Sequence, residues 1–258
     1  MSDVDVYADL AQRLADAVRP VVLPRFRSGV AYDVKADASP VTVADREAEA
    51  VMRRMIGQSA PDHGILGEEH GGERLGASYV WVLDPIDGTK SFVTGKPLFG
   101  TLIALLRDGV PIIGVIDMPA LGERWVGITG RPTTFNGQPV RTRRCDRLDR
   151  AWLYATSPQM FKGEDAVTFE RLRERCYAAV WGADCYAYGL LASGFVDLVC
   201  EASLQPYDYC AVMPVITGAG GMLTDWQGVA PGLRGDGRVI AAGNAALHAT
   251  ALAALKGE

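Results

Sequence analysis

Apolar residues recur along this chain with two periods, and the changes between them mark its elements. Residues 4–26 are apolar at helical spacing, with Pro20 and Pro24 placed to interrupt interior turns, so the pattern predicts a kinked or shortened first helix. A polar connection over residues 35–45 follows, in which Thr42 can cap a helix whose apolar positions are Ala44, Ala48, Val51, Met52 and Met55. A short strand over residues 64–66 runs into Gly67, Glu68, Glu69, His70 and Gly71. Residues 79–83 alternate only loosely, as in a strand buried on both faces. Pro85, which cannot donate to a ladder, is expected to stop that strand just after Asp84. A turn or two of helix over residues 90–96, a buried strand over 98–106, a hairpin turn at Arg107-Asp108-Gly109, a return strand over 110–116 and a tight turn over 135–138 make this half α+β with antiparallel pairing.

Beyond it, strands at 152–154, 178–181 and 196–200 alternate with helices at 164–176 and 186–193, an α/β pattern. Asp208 precedes an apolar helical run to Gly218, and a glycine turn, strand signals and an Asn244-capped helix close the chain. The arginine-rich stretch over residues 141–147 reads as a solvated connection. It divides residues 1–144 from 145–258, two halves of one catalytic unit.

With 258 residues, 48% hydrophobic and 22% charged, the chain can bury a substantial core. A net charge of −5 argues against a nucleic-acid surface and a polybasic membrane patch, which leaves a small molecule as the expected partner. The start lacks a basic region followed by an apolar stretch, and no later run approaches the roughly 18 apolar residues of a membrane span, so a cytoplasmic protein is expected. Five cysteines, odd in number and without a C-x-x-C pair, suggest buried thiols, neither a disulfide framework nor a zinc site. The three histidines are scattered, so a metal would be held by oxygen.

The oxygen donors are conspicuous. Asp84 and Asp87, with the Ile86 carbonyl between them, supply the hard ligands that Mg²⁺ or Mn²⁺ prefers. Gly88 permits a backbone conformation that turns its own N–H and that of Thr89 toward an anion such as phosphate. An Asp-Gly turn would use the same residues with no ligand at all. Glu68 follows a strand end as Asp84 does, and two acid-tipped strands in one sheet place their carboxylates at one edge. Asp45 falls in a helix first turn, where a capping box with Thr42 is explanation enough. Asp208 reads as an N-cap. The segment from Gly88 to Lys96 is not a Walker A loop, because Pro97 stands where a Ser or Thr is required.

Taken together, Gly67-Glu68-Glu69, Asp84-Pro85-Ile86-Asp87-Gly88-Thr89 and Asp208 resemble the inositol monophosphatase family of lithium-sensitive, magnesium-dependent phosphatases. Ser39-Pro40-Val41-Thr42 with Asp45 upstream and Gly218-Ala219-Gly220-Gly221 downstream extend the likeness over nearly the whole chain. The resemblance implies an α+β fold, a layered αβαβα sandwich, and a homodimer. It also implies two or three Mg²⁺ ions per site, with Mn²⁺ able to substitute and Li⁺ inhibitory. Position by position, Glu68, Asp84 and the Ile86 carbonyl look like ligands of a first ion, and Asp84, Asp87 and Asp208 of a second. Thr89, hydrogen-bonded to Asp45, is similar to the pair that works with Glu68 to activate the attacking water, while Asp87, Gly88 and Thr89 receive phosphate. Glu201 matches a substrate-contacting glutamate seven residues before the last metal aspartate.

Pro206-Tyr207-Asp208-Tyr209 and Lys90-Ser91-Phe92 depart from the usual inositol phosphatase pattern and look like the histidinol-phosphate phosphatase branch. Histidinol phosphate carries an ammonium and an imidazole, so its pocket needs acceptors beyond the metal ligands. Glu201 and Asp184 are the candidates, although Asp184 also reads as a plain helix N-cap. Inositol phosphate, another sugar phosphate or a phosphoadenosine nucleotide are the competing substrates. A non-catalytic metal-binding or regulatory protein is disfavoured by the intact acid set.

Overall fold

A computed structural model describes residues 3–29, 31–34 and 40–258, so residues 35–39 of the expected polar connection lie outside them. In chain order the elements begin with α1 (Asp3–Val22), β1 (Tyr32–Val34), β2 (Pro40–Thr42), α2 (Val43–Ser59), β3 (Gly64–Gly67), β4 (Gly71–Glu73), β5 (Tyr79–Asp87) and α3 (Thr89–Val93). There follow β6 (Gly100–Arg107), β7 (Val110–Met118), β8 (Glu123–Ile128), β9 (Thr134–Phe135), β10 (Gln138–Pro139), β11 (Trp152–Ala155), α4 (Glu164–Arg175), β12 (Ala178–Trp181) and α5 (Tyr186–Ala192). The chain ends with β13 (Leu198–Glu201), α6 (Pro206–Tyr209), α7 (Val212–Gly218), β14 (Met222–Thr224), β15 (Val239–Ala242) and α8 (Ala245–Lys256). Helix α1 runs through Pro20 and gives way to a 3-10 turn only at Pro24. Pro20 is exposed there, and water can satisfy the carbonyl its ring leaves without a donor.

Among the described residues β1 and β2 pair as an antiparallel two-stranded ribbon; of the two main sheets, the larger has eight strands in the order β10-β9-β8-β7-β6-β5-β3-β4, and the smaller has five in the order β12-β11-β13-β15-β14. Alternation along the strands sends side chains to opposite faces and builds the layers. Trp81, Leu83, Ile103, Leu105, Ile113 and Val115 pack against α1 and α2. Val80, Val82, Leu102, Ala104 and Ile116 face the other way, into a core shared with α5 and α7. That core continues to Val199, Val239 and Ala241 of the smaller sheet. Leu198, Cys200, Ile240 and Ala242, on its far face, are covered by α4 and α8. The result is the αβαβα sandwich. Gly114 and Gly127 seat the central helices, since a Cβ at either would overlap the backbone of Ala211 or of Pro214.

Two buried acids pin the layers. Asp117 on β7 accepts from Arg19 Nε at 2.9 Å and Arg124 Nε at 2.6 Å, tying α1 to β7 and β8. Asp197 accepts from Arg143 Nε at 2.7 Å and from the Trp152 N–H at 2.8 Å. The arginine-rich stretch is therefore not merely solvated: Arg143 neutralises a carboxylate that is 1% exposed, while Arg144 and Arg147 pair only with exposed Asp146 and Asp149. The cysteines are free thiols, with Cys185, Cys200 and Cys210 buried and Cys145 and Cys176 half-buried. Among the described residues no helix is long and apolar enough to cross a membrane.

Candidate active site

Strand β5 does not stop at Asp84. It continues to Asp87 across an irregularity, with Asp84 opposite Leu102 and Asp87 opposite Gly100 on β6. Three steps on β5 match two on β6, so one extra residue is accommodated. A proline, which has no N–H to offer the ladder, is tolerated at such a bulge. The Pro85 carbonyl is still held, by Thr101 Oγ1 at 2.8 Å. Residues three apart on a regular strand face opposite sides, and the bulge restores their parity. Asp84 thus continues the Val80 and Val82 face, Ile86 is buried in the opposite core, and Asp87 returns to the side of Asp84.

Three further elements meet this edge. Strand β3 runs parallel to β5 with Gly67 opposite Leu83, and the Glu68 N–H donates to the Leu83 carbonyl at 3.2 Å, which sets Glu68 beside Asp84 in hydrogen-bonding contact. Helix α6 packs on β5 and β6 and brings Asp208. Asp208 is not an N-cap: it is the third residue of α6, and its Oδ2 accepts from the Gln205 N–H at 2.7 Å, closing the turn from within. One ligand oxygen each from Asp84, Asp87 and Asp208 lies within 4.8 Å of the others.

Burial and the neighbouring charges of Glu68, Asp87 and Asp208 push the Asp84 carboxyl well above the ordinary range. Asp208 is pushed well above it by burial and then by Asp87, and Asp87 is pushed up to about 7 by burial and then by Asp184. Besides the Glu68 contact of Asp84, backbone N–H groups donate to them: Ile86 N to Asp84 Oδ1 at 3.0 Å and Cys185 N to Asp87 Oδ2 at 2.6 Å. Among the described residues no lysine or arginine is hydrogen-bonded to any of the three. Carboxylates crowded without a cationic side chain, Asp84 buried and Asp87 and Asp208 half-buried, fit a divalent cation, and all the donors are hard oxygen.

Gly88 has φ of 80°, the left-handed region, and starts α3 with the Thr89 N–H leading. Thr89 Oγ1 donates to the Ile86 carbonyl at 3.0 Å, the acceptor three residues back, and not to Asp45. Asp45 is held in the capping box of α2, its Oδ2 accepting from Thr42 N at 2.8 Å and Oγ1 at 2.6 Å, which corrects the expected Asp45–Thr89 hydrogen bond. Its other oxygen, Oδ1, is buried without a partner, and the Glu68 charge acts on it.

Asp184 does not cap α5, whose N-cap residue is Cys185. With φ of 49° it turns back toward the anion loop, where its carboxylate lies 3.1 Å from the Cβ position of Gly88 and accepts from Ser91 Oγ at 3.1 Å. Burial pushes it up, while Ser91, Lys96 and Lys90 pull it down. Glu201, 3% exposed at the end of β13, accepts from Thr156 N at 2.9 Å and Oγ1 at 2.5 Å and from the Tyr188 hydroxyl at 2.8 Å. Burial pushes Glu201 up too. Sequence reasoning missed Ser91, Thr156 and Tyr188, whose hydroxyls carry no periodicity. It also missed Lys96, which donates to the Gly182 carbonyl, and Glu49, whose one signal was its place a turn beyond Asp45 on α2.

The profile of the inositol monophosphatase family matches residues 3–258. The chain is 48% identical to the chloroplastic bifunctional phosphatase IMPL2 of Arabidopsis thaliana, over 99% of this chain and 76% of that one. It is 39% identical to the histidinol-phosphatase of Mycobacterium tuberculosis, over 86% of this chain and 89% of that one. The structure of an inositol monophosphatase from Zymomonas mobilis superposes with a TM-score of 0.91 at 46% identity, over 99% of this chain and 100% of that one.

Proposed function

The chain belongs to the inositol monophosphatase family and is a phosphoric monoester hydrolase; from that premise we propose that it hydrolyses L-histidinol phosphate to L-histidinol and phosphate. In this reading it works with Mg²⁺, as a cytoplasmic homodimer, in histidine biosynthesis. The observation that carries the substrate is a second pair of acids, Glu201 buried at the end of β13 and Asp184 half-buried against the Gly88 turn. Asp184 and Glu201 stand apart from the cation-binding trio, yet both charges are felt at Asp87. An ammonium is the substrate group such a wall accommodates, and inositol phosphate has none. Relatives 39% and 35% identical that are named histidinol-phosphatase support the choice. Inositol phosphate is the second reading, favoured by the likeness to the Zymomonas mobilis inositol monophosphatase at 46% identity.

Glu68, Asp84, the Ile86 carbonyl, Asp87 and Asp208 would hold the cations. When bound, a divalent cation neutralises a phosphate ester dianion and brings the pKa of a water toward ~7. The protein's own contributions are position and proton handling. The N–H groups of Gly88 and Thr89 receive phosphate oxygens, and the bulge at Pro85 aims Asp84 and Asp87 at one point. Glu68 accepts the proton of the attacking water, Thr89 Oγ1 orients that water, and the unpartnered Asp45 Oδ1 supplies the acceptor behind them. Attack in line, without a phosphoenzyme, suits a site whose chemistry is positioning and charge.

A phosphate-release assay on L-histidinol phosphate, inositol 1-phosphate, a phosphoadenosine nucleotide and an aryl phosphate tests the proposal. The largest kcat/KM is expected on L-histidinol phosphate, with loss of turnover in excess EDTA. Preference for inositol phosphate would overturn the substrate, and full turnover in EDTA would overturn the cation.

Glu201→Gln isolates the acid wall. Truncating one partner of a buried charge pair costs about 2–4 kcal/mol of transition-state binding, so kcat/KM for histidinol phosphate is expected to fall by about 30- to 1000-fold. An aryl phosphate, which brings no ammonium, should lose far less. Equal losses on both substrates would assign Glu201 to folding or to the cation site, and no loss on either would remove it from the pocket.

A further inference from the structure

Glu49 is an acid with no exposed surface on a helix whose acidic first turn already faces the site. A buried carboxylate must find donors, and the ones it finds are informative. One is Arg53 Nε, a turn further along α2, at 2.7 Å. The others belong to the turn that carries Glu68: the Glu69 N–H at 2.7 Å and the His70 N–H at 3.2 Å. Arg53 also donates to the Gly71 carbonyl, so the Glu49–Arg53 pair grips the backbone of three successive residues. Gly67 leaves the space for this, because a Cβ there would overlap the Glu49 carboxylate.

Glu68 is thus held from two sides. Its own N–H is fixed by the Leu83 carbonyl on β5, and the next two N–H groups are fixed by Glu49. Without the second hold, the turn would be free to carry Glu68 away from the Asp84 edge, since only the Leu83 carbonyl would still fix its backbone. Resting on the reading of Glu68 as a cation ligand, we propose that Glu49 is its positioning residue, setting divalent-cation affinity through the backbone of the β3–β4 turn without touching substrate or ion.

Calorimetric titration of the full chain with Mg²⁺ tests this. Loss of a partner that orients a metal ligand costs about 10- to 100-fold in affinity, and a rise of that size in the Mg²⁺ Kd is expected for Glu49→Gln, which keeps an acceptor oxygen but loses the ion pair with Arg53. In activity, the rise appears as a shifted Mg²⁺ midpoint with kcat largely restored at saturating Mg²⁺. Glu49→Asp, which keeps the charge and retracts it by one methylene, should move the midpoint the same way and guards against a misfolded amide variant. Asp197→Asn breaks the ion pair of a buried carboxylate with Arg143, at the opposite end of β13 from Glu201, and is expected to lower Tm while leaving the Mg²⁺ Kd unchanged. A Kd within about twofold of wild type in both Glu49 variants would overturn the proposal, as would an equal rise in Asp197→Asn. A wild-type chain that takes up no Mg²⁺ would overturn the cation reading itself, which no Glu49 variant could do.

Discussion

Asp84→Asn is expected to lower kcat by several orders of magnitude while leaving the fold intact. The hydrogen bond that orients this side chain comes from the Ile86 N–H to Oδ1 at 3.0 Å, and an asparagine Oδ1 accepts it equally well. The bulge that turns residues 84 and 87 to one face is a backbone feature and survives the change. What disappears is the charge. Asp84 is 2% exposed, and its carboxylate is the one the resemblance assigns to both cations. A neutral amide holds neither well, so the loss falls on the chemical step and not on substrate binding alone. Steady-state phosphate release at saturating Mg²⁺, with circular dichroism as the fold control, measures both halves of the claim. Near-normal kcat would mean that the acidic edge of β5 is not the reaction centre, whatever the family does elsewhere.

The two acid-tipped strands were legible because strand ends announce themselves: an apolar run stops and carboxylates begin. Parallel pairing of β3 with β5 then follows from placing both in one sheet. The bulge was not legible. Pro85 says only that a ladder hydrogen bond is missing, and an ended strand and a bulged strand satisfy that condition equally. Asp208 was read as a cap for the same sort of reason, since an acid before an apolar run suits the N-cap and the N3 position alike, and only the Gln205 N–H decides between them. Glu49 and Arg53 form an i,i+4 pair that on sequence alone is the commonest exposed helix decoration. Its burial is a tertiary fact, set by where the β3–β4 turn lands on α2, and no local pattern carries it. Arg143 was hidden likewise, its partner Asp197 lying 54 residues away. The hydrogen bond inferred between Thr89 and Asp45 is a further case: Thr89 Oγ1 turns to the Ile86 carbonyl and Asp45 Oδ2 to Thr42, which leaves Asp45 Oδ1 buried without a partner.

The metal-free protein is expected to lose stability as pH rises from about 4 to about 7, and Mg²⁺ is expected to abolish most of that loss. An ordinary aspartate titrates near 4, whereas Asp87 in the folded chain is pushed up to about 7. Asp84 and Asp208 lie well above their ordinary range, and Asp45, Asp184 and Glu201 are raised too. Between the two pKa values the folded state binds more protons than the unfolded state, so the unfolding free energy falls as pH rises through that window. This is the reverse of the usual salt-bridged carboxylate, whose stabilisation is lost on acidification. The carboxylates lowered below their ordinary range among the described residues, exposed Asp149 and half-exposed Glu170, are surface groups paired with Arg147 and Arg173 and oppose the trend only weakly. A divalent cation binds the ionised acids and stabilises the fold by mass action, so its effect grows over the same window in which the free protein weakens. Thermal unfolding at pH 5, 6, 7 and 8, in EDTA and in excess Mg²⁺, resolves the two curves. They should lie close together at pH 5 and separate steadily toward pH 8, and Asp84→Asn should flatten the EDTA curve by removing one of the crowded charges. A metal-free Tm that climbs between pH 5 and 8, or an Mg²⁺ shift that does not change with pH, would mean that these carboxylates are not competing for protons and a cation at a shared site.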